Sequence, residues 1–181
     1  GRIEADFAVG HARPGVALTP DTVSLWMSAT KPITAIAIAQ QWEQGNIDLD
    51  APVKRYIPQF AKRGKEAVTI RHILTHTGGF RSAKFNFPDD GWDEIIEAIC
   101  DATLEPGWTP GDKAGYHPRT SWFILGEIVQ RVTGEPFPRY VRANLFEKMG
   151  MDDCWLGMPQ TEYYRLGERL MVMQDTSDGK P

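Results

Sequence analysis

The sequence has 181 residues, enough for one domain with its own hydrophobic core. Its 41 % hydrophobic and 24 % charged residues are typical of a globular protein and exclude wholesale disorder. The 20 basic and 24 acidic residues leave a net charge of −4, which argues against nucleic acid or an anionic membrane as the main partner.

The chain opens with an alternation of apolar and charged residues over positions 3–9. A period of two predicts a strand with one buried face. Residues 10–15 contain glycine and proline and indicate a turn, after which Val16–Leu18 forms a partner strand. Because two neighbouring strands do not make a stable sheet alone, we expect them to need further strands.

A helix is predicted from Ser28 to about Gln44, with Gly45 as its end. The segment Ile33–Ala39 is nearly all apolar, so we expect this helix to be buried on almost all sides. That apolar run is also the longest in the chain, and it is far too short to span a bilayer.

The remainder is predicted to be largely helical. Residues 46–91 are rich in turn signals, with a short helix around Ile70–Leu74. Apolar spacing predicts three longer helices, at about 93–103, before Gly134 and before Gly150. The tail from Met151 has weak periodicity and room for one short helix.

Ser28 and Lys31 form a Ser-x-x-Lys motif at a helix start, which places both side chains on one face. A serine hydroxyl becomes a nucleophile when a base accepts its proton, and burial makes lysine a better base. Ser28 could instead simply cap this helix, since serine is a favoured N-cap, although a capping box requires Glu or Gln at position 31, where this chain has Lys31. The motif alone leaves both interpretations open.

Further segments give the motif a context. Together they resemble the serine β-lactamase and penicillin-binding-protein superfamily, in its class C β-lactamase and family VIII-like esterase branch. The matching segments follow the family's order and cover roughly residues 15–160: Thr19–Thr22, Met27–Pro32, Gly45–Val53, Ile70–Gly79, Pro106-Gly107 leading to Tyr116, Leu125–Ile128 and Val132–Gly134.

The resemblance implies an α/β (α+β) β-lactamase-like fold, in which an antiparallel sheet flanked by helices carries a mainly helical subdomain. This chain would hold mostly the helical part. Its expected organisation is sheet strands in 1–27, the nucleophile helix in 28–45, the helical subdomain in 46–160, and in 161–181 a tail leading towards further C-terminal strands.

The implied mechanism passes through an acyl-enzyme. Ser28 would attack a carbonyl carbon, Lys31 would help to remove its proton, and Tyr116 would act as general base and then as general acid. The backbone N–H of Ser28 would supply half of the oxyanion hole. The expected substrates are small esters, amides or β-lactams, with no cofactor and no metal.

The match departs from the family pattern after Tyr116. Pro118 stands where the family usually has an asparagine that hydrogen-bonds an amide-type substrate, and proline lacks that donor. We therefore expect ester cleavage or acyl transfer rather than efficient β-lactam hydrolysis. His117 and Pro118 are candidate substrate-binding residues, and His117 could tune the pKa of Tyr116 or face solvent.

The family's third motif, Lys-Thr-Gly or His-x-Gly on a late strand, is not found after Tyr116. The resemblance implies that this strand, half of the oxyanion hole and most of the sheet lie beyond Pro181. We therefore expect the 181 residues alone to be inactive.

His72 and His76 have the i, i+4 spacing of a zinc pair, but neither a His-Glu-x-x-His motif nor a third ligand accompanies them. Structural hydrogen bonding is the expected role of both histidines. The two cysteines, Cys100 and Cys154, share no short-spaced motif, which excludes a disulfide scaffold and a cysteine zinc site.

The sequence therefore predicts a serine hydrolase. Two alternatives remain open, an acyltransferase of the same fold and a non-catalytic relative that binds a ligand in the same cleft. The compartment stays undetermined between the cytoplasm and the periplasm or exterior of a bacterium.

Overall fold

The structure, a computed structural model, describes residues 2–173, and helices dominate them. Short 3₁₀ turns and one π-turn, Arg142–Phe146, connect or extend the helices. The α-helices and strands are α1 Thr30–Glu43, α2 Ile70–Leu74, α3 Trp92–Asp101, α4 Thr120–Thr133, α5 Phe137–Val141 and α6 Gln160–Leu166, with β1 His11–Arg13 and β2 Val16–Ala17.

The prediction of a strand over residues 3–9 is wrong, because these residues form no strand. The sheet described is the antiparallel pair β1–β2, which begins only after Gly10. The side chains of Ile3, Phe7 and Val9 are 77–81 % exposed. The alternation is present in the sequence, but no element of residues 2–173 covers its apolar face, so neither pairing nor burial stabilises a strand there.

The segment after α6 returns to the start of the chain. The backbone N–H of Val23 donates to the carbonyl of Arg169, and the N–H of Met171 donates back to Val23. Arg169 also donates to the carbonyl of Asp21 and to the carboxylate of Asp153. These bonds hold residues 169–171, within the predicted tail 161–181, against the N-terminal region. Residues 174–181 of that tail lie outside the described range.

The expectation that α1 is buried on almost all sides also requires correction. One face, with Ile33, Ala37 and Ile38, lies in the core. The opposite face includes Ile36, which is 43 % exposed, and Trp42, which is 55 % exposed. An apolar sequence shows that a helix favours burial, but burial also requires a neighbouring element, and residues 2–173 supply one for a single face.

The core lies between α1, α3, α4 and α5. The central helix is α4, whose residues Ile124, Leu125, Ile128 and Val129 are fully buried. Gly126 allows close packing, because a Cβ there would lie 2.9 Å from the rings of Phe137 and Trp92. The predicted ends of the helices before Gly134 and Gly150 are confirmed, since both glycines have the left-handed conformation of a helix C-cap.

The turn-rich region 46–91 is fixed to the end of α3 by a buried lysine. Lys65 is almost inaccessible, and its ammonium group donates to the carbonyls of Lys62, Cys100 and Ala102. The last two carbonyls lie at the C-terminus of α3, where a cation is favourable. The predicted short helix Ile70–Leu74 is confirmed and follows this region. Within residues 2–173, every helix is too short or too polar to cross a membrane.

Candidate active site

Ser28 lies in a 3₁₀ turn, Met27–Ala29, that leads directly into α1. Met27 has a left-handed φ of 50°, which is uncommon for a residue with a β-carbon. The Thr30 hydroxyl donates to the Met27 carbonyl and closes the turn. Lys31 follows within the first turn of α1, and its Nζ donates to Ser28 Oγ at 3.0 Å. The predicted Ser-x-x-Lys pair is therefore assembled locally.

Tyr116 reaches the same point from a distant part of the sequence. It belongs to the loop between α3 and α4, and its hydroxyl is 2.7 Å from Ser28 Oγ. Lys31 Nζ also lies 5.0 Å from the centre of the Tyr116 ring and 5.7 Å from that of Trp122. The structure thus brings together the three residues predicted to be catalytic.

Two neighbouring groups make Tyr116 easier to deprotonate. The neighbouring Lys31 ammonium group, and then the Ser28 hydroxyl, lower the pKa of Tyr116. Both stabilise negative charge on the phenol oxygen by hydrogen bonding and, for Lys31, by its positive charge. A tyrosine with a lowered pKa at hydrogen-bonding distance from a serine can accept the proton of that serine.

His117 is buried, whereas its neighbour Tyr116 is about half exposed. The Nε2 atom of His117 accepts hydrogen bonds from the backbone N–H groups of Gly79 and Phe80 at 3.1 and 3.3 Å. Burial lowers the pKa of His117 to about 4, and this effect outweighs the Gly115 carbonyl, which raises it. His117 therefore supports the Tyr116 loop from inside the protein, and its ring does not face solvent.

Pro118 is exposed beside Tyr116. A role for His117 or Pro118 in substrate binding stays a prediction. The buried His117 ring could act on a substrate only through the loop that it supports, whereas Pro118 lies at the surface where a substrate could contact it.

Two residues around Tyr116 were not predicted as site residues. The ring of His76 lies 5.0 Å from that of Tyr116, and Trp122 packs edge-on against His76 at 5.5 Å. Trp122 Nε1 donates to the His117 carbonyl. One signal in the sequence pointed to His76, its position in the segment Leu74-Thr75-His76-Thr77-Gly78, but that segment did not reveal a contact with Tyr116.

The histidine pair His72 and His76 is engaged in hydrogen bonds of the structural kind expected. His72 Nδ1 accepts from the N–H of Thr69 in a capping box at the start of α2, and His76 Nδ1 accepts from the N–H of His117. Burial lowers the pKa of both histidines, and the charge of Lys31 adds to this effect at His76. Residues 2–173 contain no group of three or more His, Cys, Asp or Glu side chains that could hold a metal ion.

A serine, a lysine and a tyrosine meet at the start of α1, on a helix-rich scaffold with a small antiparallel sheet, as expected for a β-lactamase-like fold. The sequence matches the Beta-lactamase family over residues 2–170. The chain therefore belongs to the beta-lactamase family.

The proteins that this chain resembles are named for different activities. Esterase EstB of Burkholderia gladioli is 33 % identical over 160 residues, which cover 77 % of this chain and 40 % of that protein. A penicillin-binding protein homologue from Caulobacter crescentus is 31 % identical with a TM-score of 0.76, over 93 % of this chain and 45 % of its own. A family VIII carboxylesterase is 27 % identical with a TM-score of 0.79, over 91 % and 45 %.

The chain therefore spans less than half the length of these relatives. The matched portion contains Ser28, Lys31 and Tyr116.

Proposed function

We propose that Ser28 is the nucleophile of a serine hydrolase that cleaves esters or amides through an acyl-enzyme. The observation that carries this proposal is the position of Ser28 Oγ, which lies 3.0 Å from Lys31 Nζ and 2.7 Å from the Tyr116 hydroxyl. A nucleophile between a cation and a tyrosine of lowered pKa is the arrangement that activated serine requires.

The proposed reaction begins when Ser28 Oγ attacks the carbonyl carbon and its proton passes to the Tyr116 phenolate. The negative charge that develops on the carbonyl oxygen is stabilised by the Ser28 backbone N–H. Tyr116 then gives the proton to the leaving alcohol or amine as its bond to carbon breaks. Water then attacks the acyl carbon as its proton passes to Tyr116. The bond between the acyl carbon and Ser28 Oγ breaks, Tyr116 returns the proton to Ser28 Oγ, and the carboxylic acid leaves.

Esters are the substrates that we favour. Pro118 follows the Tyr116-His117 pair and has no side-chain donor for an amide group. Relatives named as an esterase and a carboxylesterase support this choice, although another relative is named as a penicillin-binding protein homologue. Cleavage of a nitrophenyl ester at a higher kcat/KM than that of a chromogenic β-lactam is the expected result.

Covalent labelling tests the nucleophile directly. The full-length protein that contains this chain should gain the mass of one fluorophosphonate adduct, and peptide mapping should locate it at Ser28. Ser28→Ala should abolish the adduct. Ser24→Ala is the matched control, because Ser24 is an exposed serine four residues earlier and should not affect labelling.

Two results would overturn the proposal. A folded wild-type protein that stays unlabelled would favour the non-catalytic, ligand-binding alternative. Labelling that survives Ser28→Ala would place the nucleophile elsewhere.

We also propose that strands outside the described residues pack on the exposed face of α1. This face presents Ile36 and Trp42 to solvent, and the relatives are more than twice as long as the matched portion. In the full-length protein, Ile36→Lys should then cost about 2–4 kcal/mol of unfolding free energy, as expected for a charge placed in a core. Gln44→Lys, at an exposed position just after α1, should change it by no more than about 0.5 kcal/mol. Equal urea midpoints for the two variants would refute the packing.

A further inference from the structure

The two residues that flank Tyr116 are both fixed by His76. The backbone carbonyl of His76 accepts a hydrogen bond from the N–H of Gly115 at 2.9 Å. Its side-chain Nδ1 accepts another from the N–H of His117 at 3.1 Å. One residue therefore holds the backbone immediately before and immediately after Tyr116.

The aromatic contacts of His76 act on the same loop. Its ring lies 5.0 Å from that of Tyr116, and it stacks on the ring of His117 at 5.8 Å with an interplanar angle of 20°. The ring of Trp122 packs edge-on against the His76 ring, with the two ring centres 5.5 Å apart. These contacts restrict the His76 ring and direct its Nδ1 towards the loop.

The backbone of His76 is in the left-handed region, with φ at 60°. Residues with a β-carbon adopt this conformation at a cost, although Asn, Asp and His do so more readily than others. The backbone strain therefore falls on His76, the residue whose carbonyl and side chain both accept hydrogen bonds from the Tyr116 loop. This combination distinguishes His76 from His72, whose side chain bonds to its own helix cap.

We propose that His76 is a positioning residue, which clamps Gly115 and His117 and so sets the Tyr116 hydroxyl against Ser28 Oγ. The inference rests on the proposed function for its kinetic consequence, but the clamp itself is a property of the loop. The Nδ1 atom can accept the hydrogen bond only while it carries no proton, so the neutral ring has its proton on Nε2. A displacement of the tyrosine by about 1 Å is enough to lower a rate by about 10²-fold.

Three variants of the full-length protein separate positioning from stability. His76→Ala removes the Nδ1 acceptor and the ring. His76→Asn keeps an acceptor near the Nδ1 position and tolerates a positive φ. His72→Ala is the matched control, because it removes a partly buried histidine from the same segment whose side chain hydrogen-bonds to Thr69 and makes no hydrogen bond to Gly115, Tyr116 or His117.

The first readout is the rate of Ser28 labelling by a fluorophosphonate. His76→Ala should lower it about 10–100-fold, His76→Asn should restore it to within about 3-fold of wild type, and His72→Ala should leave it within about 2-fold. Equal losses in the alanine and asparagine variants, or an equal loss in His72→Ala, would overturn the positioning role.

The second readout does not depend on catalysis. With 3-fluorotyrosine at position 116 in a Ser28→Ala background, the ¹⁹F resonance should broaden or split in His76→Ala and return to a single narrow line in His76→Asn. An unchanged resonance in His76→Ala would overturn the clamp. If Ser28 is never labelled but the resonance responds as described, the proposed function fails while the clamp stands.

Discussion

The hydroxyl of Tyr116 lies 2.7 Å from the Oγ of Ser28, although 88 residues separate them in the chain. Ser28 precedes α1, whereas Tyr116 is carried by the loop before α4, so the packing of α1 against α4 brings the two hydroxyls together. The Tyr116 side chain remains about half exposed. The contact therefore depends on the loop that carries Tyr116 and much less on burial of the tyrosine itself.

Tyr116→Phe should separate reactivity from stability. Loss of the phenol hydroxyl removes the group that we propose accepts the Ser28 proton, and we expect the labelling rate to fall about 10²–10⁴-fold. Because Tyr116 is exposed, the free energy of unfolding should change by no more than about 0.5 kcal/mol. Stopped-flow labelling and urea denaturation of the full-length protein measure the two quantities.

Tyr163→Phe provides the control for this experiment. Tyr163 is similarly exposed but lies on α6, and its removal should change neither quantity. A labelling rate within about 3-fold of wild type in Tyr116→Phe would remove Tyr116 from the proposed mechanism.

The parts of the site that could be predicted are those encoded by local sequence. Ser28 and Lys31 are three residues apart, so a helix start alone places them side by side. Tyr116 could be predicted only through the resemblance, because no local rule connects it with Ser28. The helix before Gly134 was predictable because a glycine with positive φ ends it.

The parts that could not be predicted depend on tertiary neighbours. The alternation over residues 3–9 and the apolar run of α1 show which faces favour burial, but they do not show what covers those faces. His76 was predicted to make structural hydrogen bonds, yet its partner, His117, is 41 residues away. Such a contact leaves no periodicity in the sequence.

The buried His117 should make stability depend on pH. Its pKa falls from 6.5 to about 4 on folding, so the unfolded chain binds more protons between these values. The free energy of unfolding should therefore decrease as the pH falls from about 6.5 to about 4, by at most about 3 kcal/mol from this group. Urea titrations at half-unit pH intervals measure the slope.

His117→Gln isolates this contribution, because the glutamine oxygen can accept the Gly79 and Phe80 hydrogen bonds without titrating. The variant should show a shallower slope, while the lowered pKa values of His72 and His76 leave a smaller slope of the same sign. Glu105, whose pKa is lowered to about 2 chiefly by Arg81, contributes to the pH dependence of stability mainly below about pH 4.5. An identical slope in wild type and variant would contradict the burial of His117.

Glu127 should be important for stability. Its buried carboxylate accepts hydrogen bonds from Trp92 Nε1 and Arg131 Nε, each at 2.7 Å, and from Gln130 Nε2 at 3.2 Å. Glu127→Leu leaves these donors unpaired and should lower the free energy of unfolding by about 3 kcal/mol. Glu97→Leu, an exposed change on α3, should shift it by about 0.5 kcal/mol or less. Similar urea midpoints for the two variants would show that the Glu127 network contributes little.

Gly79 should be sensitive to a single added methyl group. Its φ of +74° strains any residue with a β-carbon, and a Cβ would lie 2.2 Å from the Trp108 ring. Gly107 has a similar φ of +66° but open space around the Cβ position, so Gly107→Ala measures the backbone strain alone, about 1 kcal/mol. Gly79→Ala should cost about 2–3 kcal/mol more, since Trp108 must move. Because the Gly79 N–H bonds to His117, that movement should also slow labelling of Ser28. Equal losses of unfolding free energy in the two alanine variants, measured by urea denaturation, would show that Trp108 yields without cost.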